Sequence, residues 1–86
     1  MEEYRRQIDA IDGKLLELFR ARLRVAEQIG EYKKEKGLPI CDPVREEQML
    51  SRYRSMAGEQ DGEAIEKLFR QVIEVSKERQ RKVQEQ

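Results

Sequence analysis

The sequence predicts an all-α fold, with three helices per chain (one long N-terminal helix and two shorter) in an intertwined helical homodimer. Three observations carry that prediction. Only two prolines and five glycines interrupt 86 residues, a composition that favours a few long helices over a strand-rich fold. Apolar residues recur at helical spacing in three runs, expected as helices over about 3–36, 43–57 and 62–83 of a single domain covering residues 1–86. The first run is also too long for so small a domain to cover by itself.

The first helix has the strongest signal. Tyr4, Ile8, Ile11, Leu15, Leu18, Arg22, Val25, Ile29 and Tyr32 stand alternately four and three residues apart, a heptad seam over about four repeats. Gly37 and Pro39 then stop it. Some 33 residues at about 1.5 Å each reach about 50 Å, whereas a compact domain of this size is only about 30 Å across. A second chain is expected to cover the overhang. The second helix opens at Asp42-Pro43, an N-cap followed by proline in the first helical position. Met49, Leu50, Tyr53, Met56 and Ala57 carry its stripe to Gly58. Gly58-Glu59-Gln60-Asp61-Gly62 reads as a turn, and the third helix presents Ile65, Leu68, Phe69, Val72, Ile73, Ser76 and Val83.

Composition narrows the chemistry. Eighteen basic and eighteen acidic residues give a formal net charge of zero, so bulk charge offers no reason to expect nucleic acid or a membrane surface as partner. The chain has no histidine and one cysteine, Cys41. Imidazole acid–base chemistry, nucleophilic triads and ordinary zinc sites are thereby excluded or crippled. Met1-Glu2-Glu3-Tyr4 is no basic, apolar leader, and no apolar run approaches spanning length; a cytoplasmic protein is expected.

Polar residues that interrupt apolar stripes are the candidate site. Arg22 occupies a seam position between Leu18 and Val25, where a guanidinium without an anion costs several kcal/mol. Lys33 lies eleven residues on, within about 20° on the same face and about 16 Å along the axis, so the two bracket room for a small polyanion. Arg5, about 42 Å from Lys33 along the same helix, reaches such an anion only from an antiparallel partner. Glu46 stands on the stripe of the second helix, with Arg45 on its flank. Ser76 and Gln80, four apart, follow Phe69 and Val72 on the inner face of the third. Each has a plainer reading. Arg22 suits a register-fixing seam residue, Lys33 a solvated helix end and Glu46 a first-turn carboxylate. Ser76 and Gln80 suit the end of a core, and Asp42 a helix cap. The pattern alone supports a helical dimer with an internal polar pocket, and names no substrate.

The order Arg5-x-x-Ile8-x-x-Ile11-Asp12-x-x-Leu15-Leu16-x-Leu18, Arg22, Lys33, Pro39, Asp42-x-x-Arg45-Glu46 and Ser76-x-x-x-Gln80 resembles the all-helical chorismate mutase family over essentially the whole chain. The resemblance implies a homodimer in which Arg22 and the other chain's Arg5 grip the two carboxylates of chorismate. It implies that Lys33 and Gln80 donate to the ether oxygen of the breaking bond. Glu46 would accept from the ring hydroxyl, helped by the Asp42 backbone amide, while Arg45 and Ser76 complete the carboxylate side. The catalytic set is then Lys33, Gln80, Arg22 and Glu46, with no metal and no cofactor. Asp12 looks structural.

A Claisen rearrangement fits residues of this kind. It is intramolecular and concerted, and asks only for restraint of the flexible arm and for donors where charge grows on the ether oxygen. Three alternatives remain beside it: an isochorismate-pyruvate lyase of the same fold, a regulatory module binding chorismate or prephenate for a shikimate-pathway enzyme, and a plain dimerisation element. The acidic Glu46 after Arg45 and the Asp42-Pro43 start argue against the lyase.

Overall fold

The computed structural model describes residues 1–86 as two α-helices and no strand, α1 at Glu2–Lys36 and α2 at Pro43–Gln84. Glu2 and Glu3 in the first turn of α1 and Lys33, Lys34 and Lys36 in its last complement the helix dipole. Gly37, at φ 68° and ψ 30°, closes the helix with a left-handed residue. The Leu38 N–H donates to the Lys33 carbonyl at 2.8 Å and the Gly37 N–H to that of Lys34 at 3.3 Å, the paired bonds of a Schellman ending. α2 begins as its residues predict: the Asp42 carboxylate accepts from the Arg45 N–H at 3.2 Å, with Pro43 in the first turn.

The expected count of three helices is corrected to two. The five-residue turn foreseen at 58–62 does not exist. Gly58 alone leaves helical geometry, at φ 85° and ψ 174°, and 59–62 belong to α2. A glycine with positive φ suffices to redirect the chain, because no Cβ opposes that conformation. The bend is sharp. Arg54 and Glu66 pair at 2.9 Å, Arg70 and Glu47 at 3.5 Å, and the Tyr53 and Phe69 rings lie 4.6 Å between centroids. In a straight helix the twelve-residue separation of Arg54 and Glu66 would be about 18 Å. The arms 43–57 and 59–84 therefore lie side by side.

α1 leans on the second arm through its C-terminal half only. Glu27 and Arg79 pair at 2.7 Å, the Gln84 amide donates to the Gly30 carbonyl at 3.1 Å, and Lys34 donates to the Gln84 carbonyl at 2.9 Å. Gly30 allows this approach. A Cβ added there would sit 2.9 Å from the Gln80 Cα and carbonyl oxygen, and those are backbone atoms that side-chain rotation cannot move. Gly30→Ala is expected to cost about 1–3 kcal/mol through overpacking and to lower Tm by at least about 4 °C. A thermal melt indistinguishable from wild type would refute the close crossing.

The core is thin. Ala26, Leu50 and Ile73 are its buried apolar residues, and only 8 of 86 residues are buried at all. The chain measures 50 Å along its longest axis, and Tyr4, Ile8, Ile11, Leu15 and Leu18 are all more than half exposed. The N-terminal half of α1 thus projects with its apolar seam uncovered. No helix is long and apolar enough to cross a membrane.

Candidate active site

The C-terminal half of α1, the connection to α2 and both arms of α2 line a half-open cavity of about 550 Å³, a size suited to a small organic ligand. Seven of the eight candidate residues line it. Arg22 and Lys33 come from α1, Asp42, Arg45 and Glu46 from the start of α2, and Ser76 and Gln80 from its second arm. Arg5 does not reach it. Arg5 sits on the exposed first turn beside Glu2 at 3.5 Å, and the seventeen residues to Arg22 span about 26 Å of helix.

Local structure explains how each side chain arrives. The helical period brings residues 22, 25, 26, 29 and 33 of α1 to one face, and 73, 76, 77 and 80 to one face of the second arm. Val25, Ile29, Met49, Tyr53 and Ile73 make apolar walls around the polar groups. Arg22 donates to the Ser76 hydroxyl, which in turn donates to the Val72 carbonyl at 2.8 Å. Lys33 donates to the Ile40 carbonyl at 2.9 Å, which leaves further ammonium protons for a ligand. Asp42 serves as the cap of α2, while its N–H donates to Glu46 Oε2 at 3.3 Å. Gln80 is buried, and its amide oxygen has no hydrogen-bond partner. Buried polar atoms are seldom left bare in a folded chain, so this amide is not committed to the fold.

One lining residue escaped the sequence reading. Lys77 is buried, with Nζ 3.0 Å from Glu46 Oε1 and 2.9 Å from Glu74 Oε1. Its position, four residues after Ile73 and three before Gln80, is on the cavity face, but it stands in a run of charged residues that gives no sign of burial. Four cations and two carboxylates line the cavity, a positive excess inside a chain of zero formal net charge.

Burial pushes the Glu46 carboxyl up, but the Lys77 hydrogen bond, the Asp42 amide, the Lys77 charge and the Cys41 thiol outweigh it and hold it below its ordinary value. Lys77 is raised by its bonds to Glu74 and Glu46, against its own desolvation. A lowered carboxylate is lost only as pH falls through its folded value, and a raised ammonium only as pH rises through its own. The pair therefore stays charged from about pH 5 to about pH 10, and Gln80 does not titrate. A flat kcat/KM across that window is expected for the rearrangement proposed below. A steep rise on acidification would show that a protonated acid is required.

A helical scaffold that sets cations and a primary amide against apolar walls defines a binder of a small, multiply charged anion. The particular family is clear from comparison: the chorismate mutase type II model matches residues 4–81, and the chain belongs to that family. Over an 88-residue alignment spanning the whole chain it is 35% identical to the chorismate mutase of Methanocaldococcus jannaschii, 89% of which is covered. It is 33% identical over 78 residues to the bifunctional chorismate mutase/prephenate dehydratase of Aquifex aeolicus, covering 85% of this chain and 22% of that protein. It is 41% identical over 54 residues to the T-protein of Haemophilus influenzae, covering 63% and 14% respectively. No solved structure matches the chain significantly.

Proposed function

We propose that this chain is a chorismate mutase whose cavity rearranges chorismate to prephenate, serving phenylalanine and tyrosine biosynthesis. The observation that carries the reading is the convergence of Arg22, Lys33 and Gln80 on one cavity. In the concerted step the ether C–O bond breaks as a C–C bond forms, and negative charge grows on the departing oxygen. Lys33 and Gln80 are assigned as donors to that oxygen, in a cavity where fixed donors act far more strongly than in water. Arg22, hydrogen-bonded to Ser76, takes a substrate carboxylate, and Arg45 of the same cavity completes that side. Glu46 accepts from the ring hydroxyl. The clamps hold the enolpyruvyl arm over the ring, which lowers the entropic part of the barrier.

We assign the second carboxylate to Arg5 of another copy. Arg5 lies far from the cavity of its own chain, while the seam that carries it is uncovered: Ile8, Ile11 and Leu15 are 53–55% exposed. An exposed apolar stripe of this length is a pairing surface. Leu15, Leu18, Phe19, Leu68, Val72 and Val75 border an apolar groove beside it, which we assign to the α1 of a second copy. Mixing Arg5→Ala with Lys33→Ala chains should restore activity at about a quarter of the sites, since half the dimers are mixed and each regains one intact pocket. No rescue, with mixed dimers confirmed, would refute sharing. The reading as a whole is tested by incubating the protein with chorismate and identifying the product by NMR. Prephenate is expected, and unchanged substrate would overturn it.

A further inference from the structure

We infer that Lys77 is a positioning residue for the rearrangement, holding Glu46 in the orientation in which it receives the ring hydroxyl; this rests on the reading of the cavity as the chorismate site. Lys77 reaches Glu46 from the opposite arm of α2, across 31 residues of sequence, at 3.0 Å. Its side chain is only 10% exposed, and that of Glu46 20%. A surface ion pair is loose and contributes little, but a pair so shielded holds its geometry, and breaking it leaves an uncompensated charge. Glu46 is held from two sides. Lys77 takes Oε1, and the Asp42 N–H takes Oε2. With both oxygens engaged the carboxylate keeps further lone pairs, and because Glu46 lines the cavity a hydroxyl bound there finds an ionised acceptor already in place.

Glu74 completes the arrangement. It takes a second ammonium proton of Lys77 at 2.9 Å and is itself 54% exposed. Lys77 is thus occupied on two sides by carboxylates, which leaves Arg22, Lys33 and Arg45 as the cations available to substrate. Lys77 therefore acts through Glu46. The charged and titratable groups that share the cavity or touch the pair are Cys41 and Asp42 at the connection, Arg45 and Tyr53 on the first arm, Glu74 on the second, and Arg22 and Lys33 of α1. None of these replaces the Lys77 bond to Oε1. Without Lys77, desolvation of Glu46 is opposed only by the Asp42 amide and the Cys41 thiol among its present partners.

The test is a double-mutant cycle on the full chain, with chorismate as substrate. Lys77→Gln should lower kcat/KM about tenfold, mainly by raising KM, because the hydroxyl is bound alike in ground and transition states. The acid limb of its pH profile should move up towards neutrality. In a Glu46→Gln background the same change should cost no more than about twofold, because the group through which Lys77 acts is gone. Equal losses in both backgrounds, or an unmoved acid limb, would overturn the inference. Should Lys77→Gln alone fail to fold, the comparison of Glu46→Gln with Glu46→Gln/Lys77→Gln decides it, since no bare carboxylate then remains at position 46. A further tenfold loss there would refute the role. Wild-type protein inert towards chorismate would instead overturn the mutase reading itself.

Discussion

Gln80→Met is expected to lower kcat/KM by about a hundredfold or more while leaving Tm unchanged or raised. The two effects share one cause. The Gln80 amide oxygen is buried without a partner, and an unsatisfied buried carbonyl costs about 1–3 kcal/mol. Methionine is close in length and flexible enough to fill the same space. Each kcal/mol recovered is worth about 4–8 °C in a domain of this size. The catalytic loss arises because the thioether has no proton to give to the ether oxygen. Gln80→Glu separates donation from shape. A carboxylate there repels the growing charge, so activity should return only as pH falls and the acid is protonated. A Gln80→Met protein that melts far below wild type would mean the amide is structural after all.

Arg22→Ala should also cost about a hundredfold or more in kcat/KM, with little change in stability. Arg22 is half-buried in the seam of α1, at the border of the polar cavity and the apolar groove. Its removal does not orphan Ser76, whose hydroxyl keeps its bond to the Val72 carbonyl. Lysine should restore little, because a point charge does not reproduce the planar fork that meets a carboxylate with two parallel bonds. Leucine at this position sharpens the contrast with a plain dimerisation element. Arg22→Leu extends the apolar seam between Leu18 and Val25, so the protein should fold at least as well and be inactive. A dianionic substrate analogue should raise Tm in wild type and not in this variant. Equal shifts in both would place the anion elsewhere.

Much of the site was legible because it lies on helices. Positions three, four and seven apart share a face whatever the rest of the chain does, so Arg22 with Lys33, and Ser76 with Gln80, were foreseeable as pairs. The same rule placed Lys77 on that face, but one charged residue among Lys77, Glu78 and Arg79 gives no sign of burial until the Glu46 arm is laid against it. Gly58 misled in the other direction. Two glycines and three polar residues read as a loop, because propensity counts breakers and does not show that a single positive φ reverses the chain.

By itself the sequence determined the helical class, the long first helix with its uncovered seam, the Asp42 cap and three of the cavity's four cations, Arg22, Lys33 and Arg45, all properties of local periodicity. Tertiary structure alone decided that α2 folds back on itself at the single residue Gly58, that Gly30 lets α1 cross against Gln80, and that Lys77 clasps Glu46. Those outcomes show in contacts between residues from 12 to 50 positions apart, and a helical repeat holds no information about which arms will meet.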